Sequence, residues 1–224
     1  MRIDIISCAP ALLESPFAHS IVKRAIDKGL VEIYLHDLHK FPINKHGQID
    51  DYPFGGGGGM VLRAEPLAAC IRQLQAAVAY DHVLFMTPDG KRFSQDMANQ
   101  FSLCGNLLIV CGHYKGIDQR IRDLFITMDV SIGDYVLTGG ELAAGVVVDA
   151  IVRLLPGAIS DEVSALTDSF QDGLLGAPVY TRPAEWEGLL VPEVLTSGDT
   201  PKIEAWRFDK QVEKTTRLRP DLLQ

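Results

Sequence analysis

Cysteine is scarce, and the four present (Cys8, Cys70, Cys104 and Cys111) are scattered with no C-x-x-C pair. That spacing excludes a zinc ribbon or a disulfide framework and leaves buried, reduced thiols as the expectation. Long apolar runs are missing too. The richest stretch, residues 142–155, is interrupted by Asp149 and Arg153 and is too short to span a bilayer. The opening MRIDIIS sets Asp4 inside its apolar run, so no signal peptide is expected. Together these absences predict a cytoplasmic protein without a membrane partner. A positive excess is also absent: 21 Lys and Arg stand against 29 Asp and Glu, a net charge of −8. Taken alone, that sum argues against a nucleic-acid partner, because phosphate binding normally shows as a basic surface. No internal repeat is present.

What is there is an ordinary globular composition, 47% hydrophobic and 22% charged over 224 residues, enough for one large domain or one plus a small appendage. Charge is unevenly placed. Residues 202–219 hold Lys202, Arg207, Lys210, Lys214, Arg217 and Arg219 against Glu204, Asp209 and Glu213. This basic element on an acidic body is read as a solvated helix face or as a grip on phosphate.

Apolar, β-rich runs at 3–7, 31–38, 82–86 and 107–111 alternate with helical spacing at 15–28, 64–77, 94–101 and 117–125. Alternation of this kind implies an α/β fold with parallel strands joined by crossovers. Ligands then collect at the carboxyl ends of the strands, which directs attention to the loops after Met86 and Cys111. A helix is expected over about 140–155, stopped by Pro156 and Gly157, and another over about 202–216. Domain boundaries are placed at 1–157, with a linker over 158–179 and a small C-terminal helical domain over 180–224 that carries both tryptophans.

Three glycine clusters stand out. FGGGGGM at 54–60 lacks the Gly-Lys-Ser/Thr ending of a phosphate loop, and no clear strand leads into it, so it is read as a loop of low steric cost. CGHYKGIDQRI at 111–121 runs from a strand through glycines into a helix. SIGDYVLTGGELA at 131–143 runs from a short strand through a turn to Gly139 and Gly140, which open a helix. His36, His39 and His46 do not have the spacing of a common metal site and are read as surface histidines.

The ordered set DDYPFGGGGGM, MTPDG, CGHYKGIDQRI, SIGDYVLTGGELA, LTDSFQDGLLGAPVYTRP and VPEVLTSGD resembles the bacterial tRNA (guanine-37-N1)-methyltransferases of the TrmD type, across nearly the whole chain. The resemblance implies a SPOUT-class fold, a parallel α/β sheet tied into a deep trefoil knot, with S-adenosylmethionine bent within the knot. Carried over by motif, the cofactor-facing residues are Met86, Thr87, Pro88, Gly112, Ile132, Gly133, Tyr135, Leu137, Gly139 and Gly140. Glycines let backbone groups reach an adenine edge, and Ile132 and Leu137 supply apolar walls. Each apolar residue taken singly reads as core. The family commonly has an acid where this chain has Lys115. A lysine cannot attract a sulfonium, but the backbone contacts remain.

The resemblance also makes Asp168 the general base toward N1 of guanine and Arg153 the stabiliser of charge developing on O6. Their plain structural alternatives are a helix N-cap for Asp168 and an i,i+4 pair with Asp149 for Arg153. Leu166, Phe170 and Leu174 are expected to close over the site from a loop that rests disordered. The C-terminal part is expected to grip the tRNA anticodon branch, with Tyr180, Arg182 and the VLTSGD segment adjusting the target loop and the base flipped toward Asp168. The resemblance further implies a homodimer with active sites shared between chains, and an association with magnesium. No carboxylate cage is visible, so no metal ligands are assigned. The alternatives are a SPOUT enzyme acting on ribosomal RNA, a non-catalytic RNA-binding module resting on the basic tail, and a nucleotide-phosphate enzyme resting on the glycine run.

Overall fold

The computed structural model describes residues 1–41, 47–159 and 168–223. The chain divides into two compact units, Met1–Ser160 and Asp161–Gln224.

In the first unit five strands form one parallel sheet: β1 (Arg2–Ser7), β2 (Glu32–Asp37), β5 (His82–Arg92), β6 (Asn106–Cys111) and β7 (Met128–Ser131), in the order β2-β1-β6-β5-β7. Two short strands, β3 (Asp50–Asp51) and β4 (Val61–Leu62), pair separately on either side of the glycine run. The apolar runs are continuous because both sheet faces are covered. Ile3, Ile5, Leu107, Ile109 and Cys111 point into one core with α1 (Ala11–Phe17), α2 (Ser20–Asp27), α4 (Gln95–Ser102) and α6 (Glu141–Val152). Ile6, Leu108 and Val110 point into the other, against α3 (Ala64–Ala77) and α5 (Gln119–Phe125).

Helix α3 has the bounds that its spacing predicts. Ser94 accepts from Met97 N as the cap of α4, and Asp118 accepts from Arg120 N as the cap of α5. Two elements differ from expectation. The single helix expected over 15–28 is two, broken at Ala18 and His19, with Pro16 in the last turn of α1 and His19 extended. Strand β5 does not stop at Met86: both Met86 and Lys91 pair with Val130, so Thr87–Gly90 loops out between them. Gly90 makes this possible, since a Cβ there would lie 2.5 Å from the Val130 backbone nitrogen.

His36 is not a free surface histidine. Its Nε2 meets Asp4 Oδ1 at 2.7 Å, and Arg2 and Tyr80 also donate to this fully buried carboxylate. His39 bonds Asp37, and His46 lies outside the described residues. Cys70 and Cys111 are buried, Cys8 and Cys104 partly so, and all four are free thiols.

In the second unit a hairpin of β8 (Glu185–Trp186) and β9 (Leu189–Leu190) precedes α7 (Glu193–Thr196) and the long α8 (Thr200–Leu218). Asp199 caps α8 by accepting from Lys202 N. Residues 168–176 are tied to α8: Thr215 Oγ1 accepts from Leu175 N at 2.9 Å, and Lys214 donates to the Gly176 carbonyl at 2.9 Å.

Candidate active site

At the carboxyl end of the first unit's sheet lies a cavity of about 440 Å³. Three loops build it. The first is the excursion of β5, which contributes Met86, Thr87, Pro88 and Asp89. The second follows β6 with Gly112, His113 and Lys115, and the third follows β7 with Ile132, Gly133, Tyr135, Leu137, Gly139 and Gly140. All ten residues expected to face the cofactor line this one space.

The glycines are there for close approach. A Cβ on Gly140 would sit 2.9 Å from both Cys111 Cα and Gly112 N, and Gly140 N donates to Gly112 O at 2.7 Å. Gly133 holds φ at +155°, which favours glycine, and a Cβ there would meet the Tyr135 ring at 2.5 Å. His113 and Gly139 form an isolated antiparallel bridge that ties the second loop to the third. With backbone edges bare at the glycines and Ile132, Leu137 and Ala143 as apolar surface, the cavity suits a flat heteroaromatic ring with a polar edge. The glycine run contributes indirectly: Met60 O accepts from Lys115 N at 2.9 Å, and the Lys115 stem packs where a Gly59 Cβ would be.

Of the charged groups lining the cavity, Asp89 and Arg122 are held as a pair. A hydrogen bond from Thr87, and then one from Arg122, hold the Asp89 carboxyl below the usual carboxylate range despite partial burial. Arg122 spans Asp89 at 3.0 Å and Asp129 at 2.9 Å. Burial, then the charge of Glu141, pushes Cys8 up to about 12, and the same two causes raise Cys111 well above the usual thiol range. Both thiols are thereby held toward the neutral form.

Glu141 opens α6 beneath the cavity, 1% exposed. Its Oε1 accepts from the Ser7 hydroxyl at 2.7 Å, while its buried Oε2 has no hydrogen-bond partner. Sequence reasoning missed Glu141, Gly90, Asp89 and Arg122. Glu141 stood inside a quoted motif but read only as a helix start. Asp89 and Gly90 followed a strand whose extension was not foreseen.

The two residues expected to do chemistry sit in different units. Arg153 follows α6 as its C-cap, its backbone N–H bonding Asp149 O. Asp168 is the first described residue of the second unit, and its carbonyl accepts from Gln171 N. No helix starts at Asp168, so the cap reading loses its helix. Ser169 Oγ accepts from Gly176 N, and Phe170 N donates to Leu174 O under the Arg219 guanidinium. Leu166 lies outside the described residues. Among the described residues no group of three or more His, Cys, Asp or Glu could hold a metal ion, and no helix is long and apolar enough to cross a membrane.

The profile of the tRNA (guanine-1)-methyltransferase TrmD family matches residues 1–224. The chain belongs to this family. It is 60% identical to a tRNA (guanine-N(1)-)-methyltransferase of Flavobacterium psychrophilum over 223 residues, covering 100% of this chain and 99% of the relative. The enzyme of the same name from Bacteroides fragilis is 60% identical over 224 residues with 100% of both covered. That from Cytophaga hutchinsonii is 59% identical, with 100% of this chain and 95% of the relative covered. TrmD membership makes the chain a methyltransferase of tRNA guanine N1 and implies S-adenosylmethionine as donor. The ribosomal-RNA and non-catalytic readings are not favoured.

Proposed function

We propose that the chain methylates N1 of the guanine at tRNA position 37, beside the anticodon, in the cytoplasm. The observation that carries this reading is the convergence of all ten expected cofactor-facing residues on one cavity, in a chain of the TrmD family. The glycine approaches fit the donor, since they leave space and bare backbone for an adenosyl group.

When bound, S-adenosylmethionine supplies a methyl carried on a positively charged sulfur, which leaves as a neutral thioether. Asp168 accepts the N1 proton, so the N1 electron pair can form the bond to the methyl carbon as the carbon–sulfur bond breaks. Arg153 holds the negative charge that moves toward O6. Asp168 and Arg153 of one chain serve the cavity of its partner in a homodimer. The three cavity loops belong to a trefoil-knotted domain over 1–157; residues 158–179 link it to the tRNA-binding part over 180–224. The magnesium linked to the family is assigned no ligands in this chain.

Total tRNA incubated with the wild-type protein and labelled donor, then digested and mapped, is expected to carry the label on N1 of guanine 37. Label on any other atom or position overturns the reading.

A further inference from the structure

The second unit contains a groove of its own, about 460 Å³. We propose that it receives one unpaired nucleotide of the bound tRNA, with the phosphate held by Arg182 and Arg207 and the base laid against Tyr180. The inference rests on the tRNA reading above and names a contact site within it.

The groove is lined by partly buried Val191, Leu195 and Ile203 and by exposed Tyr180, Arg182 and Arg207. Ile203 and Arg207 are one turn apart on α8 and so share a face. The tyrosine ring is half exposed and packs its other side toward Trp206, with ring centroids 6.4 Å apart and planes at 56°. A ring braced in this way offers an open face at little entropic cost.

Charge separates this groove from the rest of the unit. Lys202 pairs with Asp199 at 2.8 Å, Lys210 with Glu213 at 2.5 Å and Arg219 with Asp221 at 2.7 Å. Lys214 is bound to the Gly176 carbonyl. Among the described residues, Arg182, Arg207 and Arg217 have no carboxylate partner within ion-pair distance, and of these Arg182 and Arg207 line the groove. The second unit carries more acids than bases, so it is not a general polyanion surface, and phosphate is attracted where two unpaired guanidiniums, Arg182 and Arg207, meet at one groove. Their planar forks match phosphate oxygens. An apolar lining beside an exposed aromatic ring suits a base whose face is not already stacked, which in RNA means a loop nucleotide rather than a paired one.

The test uses the full-length protein and whole tRNA, read by fluorescence anisotropy over a range of salt. Arg182→Ala with Arg207→Ala is expected to weaken tRNA binding at least tenfold and to flatten the log–log salt dependence by about one. Tyr180→Ala is expected to weaken binding about tenfold, and Tyr180→Phe to leave it near wild type, since stacking needs the ring and not the hydroxyl. Affinity for S-adenosylmethionine, measured by calorimetry, should be unchanged in all three, and amide hydrogen exchange across residues 200–218 reports that the second unit is folded. If the double alanine variant is unfolded, Arg182→Gln with Arg207→Gln takes its place. Folded arginine variants with wild-type tRNA affinity and salt slope overturn the phosphate contact. Loss in Tyr180→Phe equal to that in Tyr180→Ala overturns the stacked base. Failure of the tRNA reading would show instead as wild-type protein that leaves guanine 37 unmodified.

Discussion

Oε2 of Glu141 lies 4.0 Å from Nε2 of His113, directly behind the cavity wall where a Cβ on Gly139 would be 2.3 Å from that same oxygen. The carboxylate is thus anchored to Ser7 through one oxygen and stops short of a donor with the other. A buried polar atom in that state is a local cost to stability, and it sits against the loops that form the cavity.

Glu141→Gln keeps an acceptor for Ser7 and replaces the unpartnered oxygen with an amide that can donate. The melting temperature is expected to rise by about 2–4 °C, the scale of 1 kcal/mol for a chain of this length. Calorimetry measures it. A fall of similar size would show that Oε2 is held across the 4.0 Å to His113 after all, since breaking a buried pair destabilises.

Asp168→Asn is expected to lower methyl transfer by at least about two orders of magnitude, the scale of a lost general base, with donor affinity within a few-fold of wild type. Single-turnover transfer and calorimetric donor binding separate the two quantities. Near-normal transfer would leave Asp168 a purely structural residue of its turn.

Sharing of sites between chains is tested by mixing two defective chains. Gly133→Trp fills the cavity where a Cβ already meets the Tyr135 ring, and Asp168→Asn removes the base. If pairing is random, about half of the dimers are mixed, each with one intact site of two, so about a quarter of wild-type activity should return. Mixed dimers that form and show no recovery would place Asp168 at its own chain's cavity.

Asp4 gives a pH signature of stability. Burial alone would raise its pKa, but hydrogen bonds from His36, Arg2 and Tyr80 hold it at about 2, below the ordinary 3.8. A depressed folded-state pKa contributes stability above the unfolded value and loses it as pH falls through the folded one. About 2 kcal/mol should therefore be present above pH ~4 and disappear by pH ~2. Chemical denaturation across that interval measures it. In Asp4→Asn the slope over the same interval should flatten; an unchanged slope would assign the acid sensitivity to other carboxylates.

Much of the first unit was legible from residue order. Helix α3 and strands β1, β2 and β6 lie where apolar spacing places them, because both faces of a covered parallel sheet demand unbroken β-rich runs and each crossover helix demands a single apolar stripe. Two glycine-bearing motifs, at 111–121 and 131–143, pointed to the cavity because loops at the ends of such strands need that much backbone freedom. Where reading failed, a partner distant in sequence decided the outcome. The outward loop of Thr87–Gly90 depends on the Val130 backbone lying against Gly90, about forty residues away. His36 became a ligand of Asp4 because β1 and β2 pair in register.

By itself, then, the amino-acid order determined the alternating α/β plan, the position of the glycine loops and the motif set that marks the family, since each depends on local spacing and local steric permission. Tertiary structure alone decided that three loops close on one cavity, that Glu141 keeps an unpartnered oxygen beneath it, and that Arg182 and Arg207 face a common groove. These are relations of charge and distance between residues 25 to 134 positions apart, and they exist only once the chain has brought them together.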